Sequence, residues 1–191
     1  PGGLYELSNN HLWRTEFAFR NWNSPAPAYL QPPFGGQQGN ERDWLLYTLG
    51  MYYSLLNAGL DLVPTAGTAH GVHPVPAGFA RVYVQLDEPF SYARWLAALQ
   101  AGRSFVTTGP LVLASRDQHS PAKHPLHYSG NSATAQLQAE IFSAAPVTFC
   151  EVIANGLPIA TYMGRSQLQP QGGYRMELNA SLPIQHSGWL A

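Results

Sequence analysis

Two histidines beside a predicted strand are the first candidates for chemistry in this sequence. His70 and His73 lie three residues apart, shortly after the apolar run 60–63. Loops that follow strands carry the sites of many α/β folds. Imidazoles with neutral neighbours are suitable ligands for a divalent metal such as Zn²⁺, Mn²⁺ or Fe²⁺. The pattern therefore predicts a metal site, and hydrogen bonding within a Gly- and Pro-rich loop is the alternative.

Glu6 and His11 complete the candidate ligand set. An alternating pattern predicts a strand over residues 4–8, so Glu6 lies near its end and His11 just beyond it. If this strand neighbours the later one, the two pairs of side chains converge at one edge. A structural hydrogen bond at the strand end is the alternative for Glu6. Three further histidines fall in a polar segment, where we expect them to be solvated: His119, His124 and His127.

Other catalytic arrangements find no support in the sequence. No Gly-x-Ser-x-Gly nucleophile turn and no Gly-Lys-Ser/Thr phosphate loop occurs. The one cysteine, Cys150, falls within a predicted strand and cannot form an intramolecular disulfide.

The elements that must position these residues alternate between strand and helix. Three-to-four-residue spacing predicts helices over 43–58 and 92–101, and apolar or alternating runs predict strands over 60–63, 80–86 and 104–107. Such alternation is typical of βα units around a largely parallel sheet or barrel. The fold class predicted for this part is α/β.

The pattern changes after residue 113. The sequence predicts three segments: an α/β part over 1–113, a linker or loop over 114–133, and an antiparallel β-sandwich over 134–191 that lacks its last strand. Asn155-Gly156 predicts a hairpin turn within the sandwich. Because the chain does not start with Met and ends in a strand-like run, we expect it to continue beyond both ends.

Composition limits the partners of this chain. Of its 191 residues, 11% are charged, and the formal net charge is -1, which argues against nucleic-acid binding. No apolar run approaches the ~18 residues of a membrane span. Aromatic residues concentrate in segment 9–40, which suits contact with a protein or carbohydrate. We expect low surface charge and open sheet edges to favour self-association.

Several runs resemble one known family. They are Glu-Leu-Ser-Asn-Asn-His at 6–11, Pro-Thr-Ala-Gly-Thr-Ala at 64–69, Arg-Val-Tyr-Val at 81–84 and Ala-Gly-Arg-Ser-Phe-Val-Thr-Thr-Gly-Pro at 101–110. Together they resemble the C-terminal half of a PHP (polymerase and histidinol phosphatase) metallohydrolase, in a branch that includes carbamate-ester hydrolases.

The resemblance implies the C-terminal part of a distorted (β/α) barrel with metal ions at its strand ends and hydrolytic activity on a phosphoester or related ester. The family's late Gly-Thr-Asp-x-His motif is matched by 67–71, but Ala69 replaces the ligand Asp and Gly71 the ligand His. The early His-x-Asp motif is absent. A methyl group cannot replace a carboxylate ligand, so the metal site is incomplete.

Two functions follow as hypotheses. The first is a fragment of a metal-dependent hydrolase with a degenerate site, acting on a small or polymeric ester. The alternative is a non-catalytic carbohydrate- or protein-binding module on a degenerate barrel.

Overall fold

The computed structural model describes residues 3–9, 41–71, 75–116, 133–184 and 186–191. Within α1, side chains are described from residue 48 onward. The strands are β1 (Gly3–Ser8), β2 (Leu62–Ala66), β3 (Arg81–Val84), β4 (Ser104–Thr107), β5 (Leu111–Arg116), β6 (Ala133–Ser143), β7 (Phe149–Ala154), β8 (Leu157–Met163), β9 (Gln167–Leu168) and β10 (Tyr174–Ile184). The helices are α1 (Glu41–Asn57) and α2 (Tyr92–Gln100).

The first half of the chain contains two small strand pairs. β1 and β2 pair in parallel, with Glu6 opposite Thr65, and the register shifts between Glu6 and Ser8. β3 and β4 pair antiparallel, with Arg81 opposite Thr107. β2 lies against both β3 and β4. The two pairs therefore form one packed unit around the end of β2.

Helix α2 follows the sequence prediction closely. Ser91, the N-cap, has an extended backbone, and its hydroxyl accepts a hydrogen bond from the Arg94 amide at 3.3 Å. The helix ends where Gly102 takes a φ of 72°, a left-handed conformation that glycine adopts without a Cβ penalty. The prediction of a helix over 92–101 is confirmed to within one residue.

The second half is antiparallel. One sheet has the strand order β5-β6-β10-β9, and β7 and β8 form a separate two-stranded sheet. The inner faces of the two sheets meet in an apolar core. That core contains Ala135, Val152, Ala180 and Leu182, flanked by Leu137, Ala160, Tyr162 and Ile184. β5 crosses residue 113, where the sequence analysis ends the first segment, and pairs with β6.

The prediction of an α/β barrel is wrong. Within the described residues, more residues lie in strands than in the two helices, and the sheets are small and mainly antiparallel. The strand–helix–strand order from β3 through α2 to β4 indicated a parallel crossover, yet β4 returns antiparallel to β3. A sequence pattern specifies the type of each element, but not the direction in which the following strand runs.

The end of α1 joins the two halves. Asn57 donates through Nδ2 to the Asn155 carbonyl at 3.0 Å and accepts from the Trp189 indole Nε1 at 2.8 Å. The rings of Tyr53 and Trp189 have centroids 4.9 Å apart. Asn155 and Gly156 both have positive φ, at 51° and 86°, so the predicted hairpin turn is confirmed.

Tyr52 holds α1 against the parallel pair. Its ring stacks on Tyr5 at a centroid distance of 5.3 Å, and its hydroxyl donates to the Leu62 carbonyl at 2.9 Å. Burial, followed by the charges of Tyr53, Asp61 and Tyr5, raises the pKa of Tyr52 to about 12.

This pKa predicts an alkaline limit to stability. An unfolded tyrosine titrates near ~10, so the contribution of neutral Tyr52 is complete below about pH 10. It is lost as the pH rises through the folded-state pKa of about 12. The loss amounts to as much as about 3 kcal/mol.

Urea unfolding on either side of this window, with Tyr52→Phe as the control, measures the effect. The variant lacks the hydrogen bond to Leu62 at all pH values, but its free energy of unfolding decreases less than that of the parent as the pH rises. Some decline persists because burial also raises the pKa of Tyr53. An equal decline in both proteins would show that Tyr52 is not responsible.

Candidate functional site

Four strand ends meet at one edge of the first half, which we call the strand-end site. They are the C-terminal ends of β1, β2 and β4 and the N-terminal end of β3. The Gly67 amide donates to the Ser8 carbonyl at 2.9 Å, which ties the loop after β2 to β1. The Thr68 hydroxyl donates to the Ala80 carbonyl at 3.0 Å, which ties the same loop to β3.

Glu6 lies over this loop. Its Oε1 accepts a hydrogen bond from Asn9 Nδ2 at 2.9 Å. The same oxygen lies 3.0 Å from the position that a Cβ on residue 67 would occupy, so a side chain there would crowd the carboxylate. The structure therefore places the Glu6 carboxylate beside Gly67, in the loop that also contains His70.

His70 makes a hydrogen bond within its own loop. Its Nδ1 lies 2.9 Å from the Val75 carbonyl oxygen, and since a carbonyl only accepts, Nδ1 carries the proton. In the neutral ring, Nε2 is then the nitrogen with a free lone pair. A histidine that binds a metal characteristically donates its other N–H in this way. This contact agrees with the alternative in which His70 only forms a hydrogen bond within its loop. It also leaves Nε2 as a potential metal ligand.

A complete metal centre is not found in the described part of the chain. No group of three or more His, Cys, Asp or Glu side chains there could hold a metal ion. The predicted partners His11 and His73 lie outside the described residues, as do the three histidines of the linker. The metal-dependent hydrolase that the resemblance implies thus has no metal-ligand cluster among the residues described.

Ala69 introduces backbone strain at this site. Its φ is 46°, in the left-handed region, where a Cβ costs roughly 1–2 kcal/mol. Asp, Asn and Gly tolerate this conformation better than alanine. Alanine at this position therefore offers no oxygen ligand and also fits its backbone conformation poorly.

Two buried polar atoms at the strand-end site have no hydrogen-bond partner in the described structure. They are Ser8 Oγ, in a residue 2% exposed, and Arg81 Nε. Sequence reasoning did not single out either residue for the site. Both lie in runs that carry the family resemblance, 6–11 and 81–84, but neither residue has an assigned role there, and their surroundings depend on how the strands pair.

A second surface lies on the outer face of the β7–β8 hairpin. We call it the hairpin face, and its residues are Phe149, Glu151, Ile159, Thr161 and Met163. Strand alternation directs them away from the core, which the neighbouring positions fill. Sequence reasoning missed this face because β8 is apolar on both sides, and alternation then cannot identify the exposed side.

No helix in the described residues is both long and apolar enough to cross a membrane. No known protein family, curated protein or solved structure matches this chain.

Relief of the strain at residue 69 is testable by glycine substitution. We expect Ala69→Gly to raise the free energy of unfolding by up to about 1 kcal/mol, since glycine adopts positive φ without a Cβ clash. Ala101→Gly is the matched control, because Ala101 has a φ of -77° and gains nothing from glycine. Urea denaturation compares the two variants with the parent. Equal destabilisation by both would mean that Ala69 carries no strain.

Proposed function

We propose that this chain is a non-catalytic interaction module that binds proteins through the hairpin face. The observation that carries the proposal is the exposure of three large apolar side chains on that one face. Phe149 is 54% exposed, Ile159 45% and Met163 74%. Single exposed apolar residues are ordinary, whereas a contiguous group is typical of an interface.

The occupant that we propose for this face is the same face of a second copy. Phe149 pairs with Met163 across the hairpin, so the widest apolar contact lies at its open end. Glu151 is the charged residue of the face, and its opposite neighbour Thr161 is neutral. An offset, two-fold arrangement can separate the two copies of Glu151 and still join the apolar side chains.

The size of the hairpin face determines the affinity that we expect for self-association. Two strands of about seven residues present a surface of roughly 23 Å by 10 Å. Such a patch buries less than the ~1,000 Å² typical of a stable interface, so association should be reversible and in the micromolar range or weaker.

Sedimentation over a range of protein concentrations tests self-association. We expect the parent to dimerise with increasing concentration, and Met163→Glu and Ile159→Glu to remain monomeric. Leu168→Glu is the control for added charge, since Leu168 is 67% exposed but lies on β9, outside the hairpin face. A parent that stays monomeric, or a control that blocks association equally, would contradict the proposal.

A metal-dependent ester hydrolase is the second candidate, and the geometry of His70 favours it. The donation from Nδ1 to the Val75 carbonyl leaves Nε2 available as a ligand, and the Glu6 carboxylate lies beside the same loop. Ala69 offers no oxygen at the position where the PHP metallohydrolases, which the sequence resembles, have an aspartate. Any metal held here would therefore have few ligands from the described residues and a modest affinity.

Calorimetric titration with Zn²⁺ separates the two candidates. A vestigial metal site predicts weak binding that His70→Ala abolishes and Ala69→Asp strengthens, by supplying a carboxylate. His186→Ala is the control, because His186 is exposed and lies in the C-terminal part. We expect no hydrolysis of p-nitrophenyl phosphate with Zn²⁺ or Mn²⁺. Chelator-sensitive turnover near ~1 s⁻¹ would favour the enzyme and contradict the non-catalytic module.

A further inference from the structure

The outer face of the four-stranded sheet bears an open cavity, which we call the sheet-face cavity. Its volume of about 360 Å³ lies in the size range of sites for small ligands. The outward side chains that line it come from three adjacent strands, β5, β6 and β10: Leu113, Ser115, Gln138, Glu140, Glu177 and Asn179. Strand alternation directs them away from the core, since the intervening residues Ala139 and Leu178 are buried.

The strand register groups these side chains in two rows across the sheet. The first row is Leu113, Glu140 and Glu177, and the second row is Ser115, Gln138 and Asn179. Directly opposed residues of an antiparallel sheet have Cβ atoms about 5 Å apart, and successive rows on one face are about 7 Å apart. All six side chains therefore border the same small space.

Arg175 holds the two carboxylates of the cavity in place. It forms ion pairs with Glu140 and, at 2.6 Å, with Glu177. Like charges directly opposite each other on a sheet repel, and the shared guanidinium compensates for this repulsion. Each carboxylate has about four acceptor positions, so one guanidinium leaves both with oxygen lone pairs for a ligand. Because two carboxylates face one guanidinium, the group keeps a net negative charge, which disfavours anionic ligands.

The amide side chains of the second row remain available to a ligand. Gln138 and Asn179 are exposed and opposite each other, yet among the described residues no hydrogen bond joins either side chain to another protein group. In the following row, by contrast, the Ser181 hydroxyl donates to Gln136 Oε1 at 2.8 Å. A primary amide has two donor hydrogens and an acceptor oxygen. The second row therefore provides both donors and acceptors.

A second cavity lies next to the first on the same sheet. Its volume is about 340 Å³, and its lining includes Leu111 and Phe142. With Arg175, these two residues form the row beside Glu140 and Glu177. Arg175 Cζ lies 6.0 Å from the centre of the Phe142 ring, so the same guanidinium contacts a residue of each cavity. Phe142 thus adds an aromatic surface next to the polar cavity.

We propose that the sheet-face cavity binds a neutral oligosaccharide, which extends toward Phe142. Sugar hydroxyls both donate and accept hydrogen bonds, and the carboxylates, the amides and the Ser115 hydroxyl together match both roles. Leu113, which is 53% exposed, and Phe142 offer apolar surface to the C–H groups of the sugar rings. A cationic ligand would lie beside Arg175, and an extended peptide would pair with a sheet edge instead of a face. This site is independent of the hairpin face, which belongs to the separate β7–β8 sheet.

Titration of the isotope-labelled protein with maltohexaose, cellohexaose and xylohexaose, followed by NMR, tests the proposal. We expect at least one of these neutral sugars to bind with a Kd in the millimolar range or below and to shift amide resonances of β5, β6 and β10. Gln138→Ala and Asn179→Ala should each weaken binding about fivefold, the effect of losing one neutral hydrogen bond. Gln136→Ala is the matched control, since Gln136 is an exposed glutamine on the same strand but outside the cavity, and it should bind as the parent does.

Hexagalacturonate, an acidic oligosaccharide, tests the role of charge in the unaltered protein. Glu140 and Glu177 should repel its carboxylates, so we expect it to bind more weakly than the neutral sugar that binds best. The proposal is overturned if none of the three neutral sugars binds, or if hexagalacturonate binds as tightly as they do. It is also overturned if the shifted resonances belong to residues 149–163, or if Gln136→Ala weakens binding as much as Gln138→Ala.

Discussion

The parallel pairing of β1 with β2 is the constraint on which the described structure depends. It joins segments separated by about sixty residues, with Tyr5 opposite Pro64 and Glu6 opposite Thr65. Tyr52 then packs on Tyr5 and bonds to Leu62, so the pair fixes where α1 lies. The last turn of α1 in turn presents Asn57 to the turn between β7 and β8. The long loop closure that this pairing requires is entropically costly, and burial of Tyr52 and Val63 offsets part of it.

Sequence reasoning succeeded where local chemistry decides the structure. The Ser91 cap and Gly102 fixed the limits of α2, and Asn155-Gly156 fixed a turn, because each depends on the conformational preference of one or two residues. Glu6, near the end of β1, lies beside the loop after β2, which the sequence analysis expected only if the two strands were neighbours. The prediction of a barrel was wrong because the sequence of α2 does not determine whether the strands that it connects, β3 and β4, run parallel or antiparallel.

The hairpin face and the strand-end site differ in physical character, and this explains why sequence analysis treated them differently. The strand-end site contains histidine and glutamate, residue types that suggest chemistry by themselves. The hairpin face consists mainly of ordinary apolar residues, and only their exposure distinguishes these from the core. Exposure is a property of the tertiary structure, because Val152 and Ala160 on the same two strands are directed into the core. Ser8 Oγ and Arg81 Nε are likewise recognised only from the tertiary structure, where both are buried and, among the described residues, without a hydrogen-bond partner.

Ala69 links the strained backbone to the question of catalysis. Ala69 keeps its left-handed backbone because hydrogen bonds hold the loop on both sides of it. Gly67 is bonded to β1, Thr68 to the residue before β3, and His70 to Val75. Aspartate would adopt this conformation at lower cost and would add a carboxylate beside Glu6. Backbone conformation and side-chain chemistry are therefore separate properties of position 69. The backbone has a conformation that Asp, Asn or Gly adopts at lower cost, while the alanine side chain offers no oxygen to a metal ion.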